Sequence, residues 1–153
     1  MAVRTAAATY SPVHLFSHKD ADVVTEFVKI TVRGGELRVS PKHYVYKGDG
    51  IAVTADSIRV GDIMIRNGEN AVVEKVEAIV DTGLFNPHTL DSSIVVDGFS
   101  ASCYTAAMEA KTAHSLLAPL RMLFRISYKP LFALEKGSEL LAKALPSGKD
   151  LML

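Results

Sequence analysis

The dipeptides that end strands do most to limit what this chain folds into. Gly34-Gly35, the KGDG stretch at 47–50, Asn67-Gly68 and Asp97-Gly98 punctuate the first hundred residues, with short runs rich in Val, Ile, Tyr and Thr between them. Glycine, and Asn or Asp before it, supply the positive φ that tight hairpin turns require. EFVKITVR (26–33) alternates as a half-buried strand should, Gly34-Gly35 is its two-residue turn, and Leu37–Ser40 returns as its partner. Pro41 ends that strand and Tyr44–Tyr46 resumes β composition. Ile51–Thr54, Ile63–Arg66, Ala71–Thr82 and Ser93–Val96 complete the series, after a short apolar run at Val13–Phe16. ADSIRVGD (55–62) reads as a loop with one helical turn ending at Gly61, and Gly83–Leu90 as irregular.

From Thr105 the character changes. AAMEAKTAHSLLAPLRMLFRI has helical spacing, with Pro119 either interrupting it or opening a second helix. Residues 131–145 (LFALEKGSELLAKAL) read as a further amphipathic helix. Strands spaced this closely predict a mainly β fold with a small helical C-terminal appendage.

Composition excludes several classes. At 153 residues the chain is long enough for one domain with a substantial core. Seventeen basic and seventeen acidic residues cancel, so no electrostatic footprint for nucleic acid is present. A single cysteine rules out an intrachain disulfide and a multi-cysteine metal site, and no cofactor is implied. No apolar run approaches the roughly 20 residues of a transmembrane segment, and MAVRTAAATYSPVHLF does not read as a signal peptide.

Three places carry residues able to do chemistry. In Ser40-Pro41-Lys42-His43 a proline bend brings a hydroxyl and an imidazole within reach of one site, unless this is simply a surface turn. Cys103, in ASCY, is either a small buried residue or a nucleophile served by His43, His88 or His114. His114 lies on an apolar helical stretch, where a core or capping role competes with a functional one.

The order of these pieces carries more than any of them alone. LRVSPKHYVY, ADSIRVGDIMI, GLFNPHTLDSSIVVDGFSASCY and HSLLAPLR together resemble the hedgehog-type Hint (hedgehog/intein) autoprocessing domain, from about Tyr10 to Arg121. The resemblance implies a disc-like all-β fold of two intertwined halves. It divides the chain into a leader at 1–9, a Hint domain at 10–126 and a helical tail at 127–153. It also implies a chemistry. The thiol of the domain's first residue, a cysteine, attacks the preceding carbonyl, and a second nucleophile displaces the thioester. The substrate is the protein's own upstream polypeptide, and the nucleophile is a sterol, water or another small molecule. A precursor of hedgehog type would place the chain in the secretory pathway.

Residue by residue, the family's Thr-x-x-His motif falls on Ser40 and His43, with His43 activating the scissile amide. The aspartate that activates the sterol hydroxyl falls within Phe16–Asp20, at Ser17, leaving His18 as the neighbouring base and Asp20 as the alternative. Cys103 matches the second cysteine, a redox or packing partner of the first. His114 and Arg121 match the closing helix motif in a structural role. Residues 1–9 contain no cysteine, so by this reading the opening block is missing and the chain alone does not self-process. The competing reading is a non-catalytic β module that binds a partner or lipid. A third is a Cys-His hydrolase using Cys103 and His43.

Overall fold

The computed structural model describes residues 1–106, 115 and 117–127. Among them are nine strands and one helix: β1 (Ala2–Arg4), β2 (Tyr10–Val32), β3 (Gly35–Val39), β4 (His43–Tyr46), β5 (Ala52–Thr54), β6 (Ile63–Arg66), β7 (Glu69–Thr89), β8 (Ser93–Val96), β9 (Phe99–Thr105) and α1 (Ala118–Ser127). All pairings are antiparallel, in the order β1-β2-β7-β6-β9-β4-β5, with β3 on β2 and β8 on β9. The mainly β expectation therefore holds.

Two long strands form the frame. β2 and β7 pair along most of their length, from Val13 opposite Thr89 to Val32 opposite Val73. The Val13–Phe16 and Glu26–Arg33 segments belong to one strand, and Gly83–Leu90, expected to be irregular, is the second half of β7. The local pattern hid this because register shifts interrupt the ladder after Val13, after Phe16, after Asp20 and after Thr31. The single-residue shifts, after Val13, Phe16 and Thr31, break the period-2 alternation on which strand reading depends.

Buried alternate positions from both strands meet the shorter strands in the main core. Ile30, Val32, Leu37, Val45, Met64, Val73 and Phe99 are all at most 1% exposed. A smaller cluster, Leu15, Tyr104 and Leu117 with Tyr44 and Leu120, joins β2 and β9 to the helical end. The 55–62 loop does hold one helical turn, but it is Ala55–Ser57 and does not run on to Gly61; Ala55 is fully buried.

The first hairpin turns one residue earlier than expected. Val32 pairs with Gly35, so the two-residue loop is Arg33-Gly34, with Gly34 at φ +80°. Gly35 is needed for space: a Cβ there would come within 2.5 Å of Arg66 Nε. The Arg66 guanidinium in turn lies 5.7 Å from the Phe99 ring centre.

Within the segment expected as a leader, Ala2–Arg4 pairs with Tyr10–Pro12 and Thr5 is buried. Pro119 lies in the first turn of α1, where a missing N–H costs nothing. The helix expected at 131–145 and His114 lie outside the described residues. No described helix is long and apolar enough to cross a membrane.

Candidate active site

The site forms where β2, β7, β9, β4 and α1 converge. Its first component is the turn between β3 and β4. The His43 N–H donates to the Ser40 carbonyl at 3.0 Å, so the Pro41 bend closes as a β-turn carrying Ser40 and His43 together. On the other side, His43 Nε2 lies 2.7 Å from the Ser102 carbonyl oxygen of β9. A carbonyl only accepts, so Nε2 carries the proton and Nδ1 is the basic nitrogen of the neutral ring. Burial pushes the His43 pKa down, and the Ser102 carbonyl opposes it only in part.

Cys103 sits on β9 at 1% exposure. Thr89 Oγ1 donates to the Ser93 carbonyl at 2.9 Å and lies 3.4 Å from Cys103 Sγ. With its one proton committed to Ser93, Thr89 Oγ1 accepts from the thiol. Burial raises the thiol pKa. Such a thiol is a poor nucleophile, and its hydrogen-bond partner is Thr89 while that of His43 Nε2 is Ser102. The geometry gives the Cys-His hydrolase reading no bonded pair. Tyr46, on β4, is likewise held protonated, first by burial and then by its neighbour Cys103.

The second component was only partly legible in the sequence. Across the β2–β7 ladder, Val13 faces Thr89 and Leu15 faces His88, so His14 is an extra, bulged residue. Phe16 faces Pro87 and His18 faces Asn86, which makes Ser17 a second bulge. The two bulged residues meet at one place. The His14 ring lies 6.5 Å from that of His88, and Ser17 Oγ lies 2.9 Å from His88 Nε2. The Asn86 side-chain amide donates to the same Ser17 oxygen at 2.8 Å. The rings of Tyr104 and Phe124 close the group, 5.6 Å from His88 and 6.2 Å from His14 respectively.

The two imidazoles of this cluster are shut away from solvent. His14 and His88 are 1% and 5% exposed. Burial drives the His88 pKa down to about 3, helped by His14, His43, His18 and Arg121 around it. His18, half-buried on β2, is also shifted down by burial. Arg121 of α1 is buried against the same region, which ties the closing helix to the site. Asp20, the alternative base, is exposed, and its carboxylate accepts from the amides of Asp22 and Val23 at 3.0 and 3.1 Å. Among the described residues no group of three metal-ligating side chains is placed to hold an ion.

The structure thus brings Ser40, His43 and Cys103 together on β4, β9 and the turn before β4, while His18 lies on β2, near enough to His88 to influence it as His43 does. Sequence reasoning missed His14 and Asn86 and weighed His88 only as a base for Cys103. The available signal was a pair of histidines on apolar strands, each followed by further polar residues.

Comparison with known proteins agrees with this arrangement. The Hint module family matches residues 1–144. The chain is 32% identical to the Drosophila melanogaster protein hedgehog over 128 residues, covering 76% of this chain and 27% of that protein. It is 30% identical to Sonic hedgehog protein of Xenopus laevis over 126 residues (73% and 28%) and 26% identical to Warthog protein 1 of Caenorhabditis elegans over 119 (71% and 24%). The chain spans about a quarter of the length of these relatives. Its fold is that of solved inteins: VidaL intein superposes with a TM-score of 0.58 at 16% identity, covering 66% of this chain and 68% of that one. A gp41-1 intein gives 0.54 at 14% identity over 66% and 92%. With a family match along nearly its whole length and the strand frame of the inteins, the chain belongs to the Hint family of hedgehog- and intein-type autoprocessing modules.

Proposed function

We propose that this module cleaves the polypeptide that contains it, passing an upstream carbonyl through a thioester to a second nucleophile. The observation that carries the reading is the His43 imidazole, fixed by its 2.7 Å hydrogen bond to the Ser102 carbonyl and held neutral by burial. With Nε2–H committed, Nδ1 takes the proton of an attacking cysteine thiol. The resulting imidazolium, stabilised by the same carbonyl, delivers that proton to the scissile nitrogen. The S–C bond forms, the C–N bond breaks, and the amine leaves neutral. This transfer matters because an amide nitrogen leaves poorly without protonation, and general acid–base help is worth roughly 10²–10⁴ in rate.

Ser40, joined to His43 through the backbone of the β-turn, carries the hydroxyl of the motif. Cys103 is the packing or redox partner of the attacking cysteine and not the attacker itself, because it is buried and burial raises its thiol pKa. His18, neutral and half-buried, is the base for the second nucleophile, whether a sterol, water or another small molecule.

The test joins a reporter peptide and a cysteine-led segment ahead of Met1 and follows cleavage with dithiothreitol by mass spectrometry. Cleavage at the cysteine is expected, with loss of roughly 10²-fold or more in His43→Ala. Equal cleavage by a folded His43→Ala variant would refute the role of this imidazole.

A further inference from the structure

Ser17 and His88, in the second component of the site, take no part in the function proposed above, and their geometry is that of a nucleophile and its base. Ser17 Oγ lies 2.9 Å from His88 Nε2 and receives the Asn86 amide at 2.8 Å. Because Asn86 already donates to that oxygen, the hydroxyl's own proton is free to point at Nε2. Asn86 therefore fixes the position of the serine oxygen in front of the base. His88 is neutral in the fold, so its lone pair is not lost to a proton in ordinary buffers. Its Nδ1 and the Asn86 Oδ1 are buried and make no hydrogen bond to another protein group. Ser17 itself is half-buried, not sealed. The pair also adjoins the site already described: the His88 ring packs on Tyr104, whose N–H donates to Ser102 Oγ at 3.1 Å, and Ser102 holds His43 through its carbonyl.

We infer that Ser17, with His88 as base and Asn86 as orienting group, accepts an acyl group from a thioester. Ser17 Oγ attacks the acyl carbon while its proton passes to His88 Nε2. The Oγ–C bond forms and the C–S bond breaks. The departing thiolate takes the proton back from His88, leaving a serine ester, a free thiol and a neutral imidazole. A thioester is the right donor class, because a thiolate leaves readily and takes back the proton held by the ring. The natural donor is the thioester of the function proposed above, and the inference rests on that reading for its substrate.

The chemistry itself is tested on the 153-residue chain with a synthetic acetyl thioester, so it does not depend on self-cleavage. Intact mass and tandem mass spectrometry are expected to show one acetyl ester at Ser17, removable by neutral hydroxylamine, whereas acetyl groups on lysine amines resist it. Ser17→Ala is expected to abolish the ester. His88→Gln, which still reaches Ser17 but takes up no proton, is expected to slow it about 100-fold, and Ser17→Cys to label faster than wild type. Thermal melts establish that each variant is folded; if Ser17→Ala is not, the position of the ester in the wild-type protein decides. A folded wild type that gains no ester at Ser17, or a Ser17 ester formed as fast in His88→Gln, overturns the inference. Self-cleavage of the cysteine-led protein then stands or falls separately.

Discussion

Lowering the pH from 7 to 5 removes stability from this fold, and His88 alone accounts for about 2 kcal/mol of the loss. In the unfolded chain the imidazole takes up a proton near its ordinary value of 6.5; in the fold burial and four positively ionisable neighbours hold that event down to about 3. Between those values the unfolded state binds one proton more than the native state. Stability therefore falls with decreasing pH, by about 1.4 kcal/mol per unit once pH is well below 6.5. It is fully present above the unfolded value and lost on the way down to the folded one. His43 and His18, shifted down for the same reason, add to the loss in the same direction. Urea titrations at pH 7, 6 and 5 read the effect as a falling midpoint at constant slope. His88→Gln keeps a side chain able to bond Ser17 but has nothing to titrate. It is expected to flatten the pH dependence by about 2 kcal/mol over this range, whatever its effect at pH 7. Parallel pH dependences for wild type and His88→Gln would refute the assignment of His88 as a buried neutral base.

Other positions give further tests. Cys103, 1% exposed with a raised thiol pKa, is expected to resist a disulfide reagent in buffer and react at once in urea; rapid labelling of the folded protein counts against its burial. Ile30→Ala, at a fully buried core position, is expected to cost about 2–5 kcal/mol by chemical denaturation. Gly35→Ala drives a methyl toward Arg66 and is expected to cost about 1–3 kcal/mol, falling toward zero when Arg66 is also Ala. Additive costs in that double-mutant cycle would show that the two residues do not share the space.

What the sequence revealed follows from what local patterns encode. The β3, β4, β6 and β8 strands were legible because each is short, alternates or runs apolar, and ends at a glycine or proline with a specific backbone demand. The turn at Ser40–His43 was legible for the same reason, and through it the pairing of those two residues. β9 was not foreseen as a strand: Ser100, Ala101, Ser102 and Cys103 are small, and all are buried, on both faces of the sheet, so no alternation survives. The Ser17–His88 contact was illegible because it depends on register between segments about seventy residues apart. Placing the family's base by position pointed at Ser17, yet only the ladder shows that this serine is bulged toward His88.

The paired bulges on β2 also govern how the chain tolerates changes of length. In a regular strand His14 and Ser17, three apart, project from opposite faces; here both reach His88. Removing one residue between Val13 and His18 erases a bulge and inverts the facing of everything beyond it on one side, exchanging core for solvent. Farther along, Ala21–Val23 lie opposite Gly83 alone, where the two long strands part. Two residues can be lost there with the phase of Val28, Ile30 and Val32 intact. Length variation should therefore accumulate at Ala21–Val23, midway along the β2–β7 ladder, and be absent from His14–Ser17.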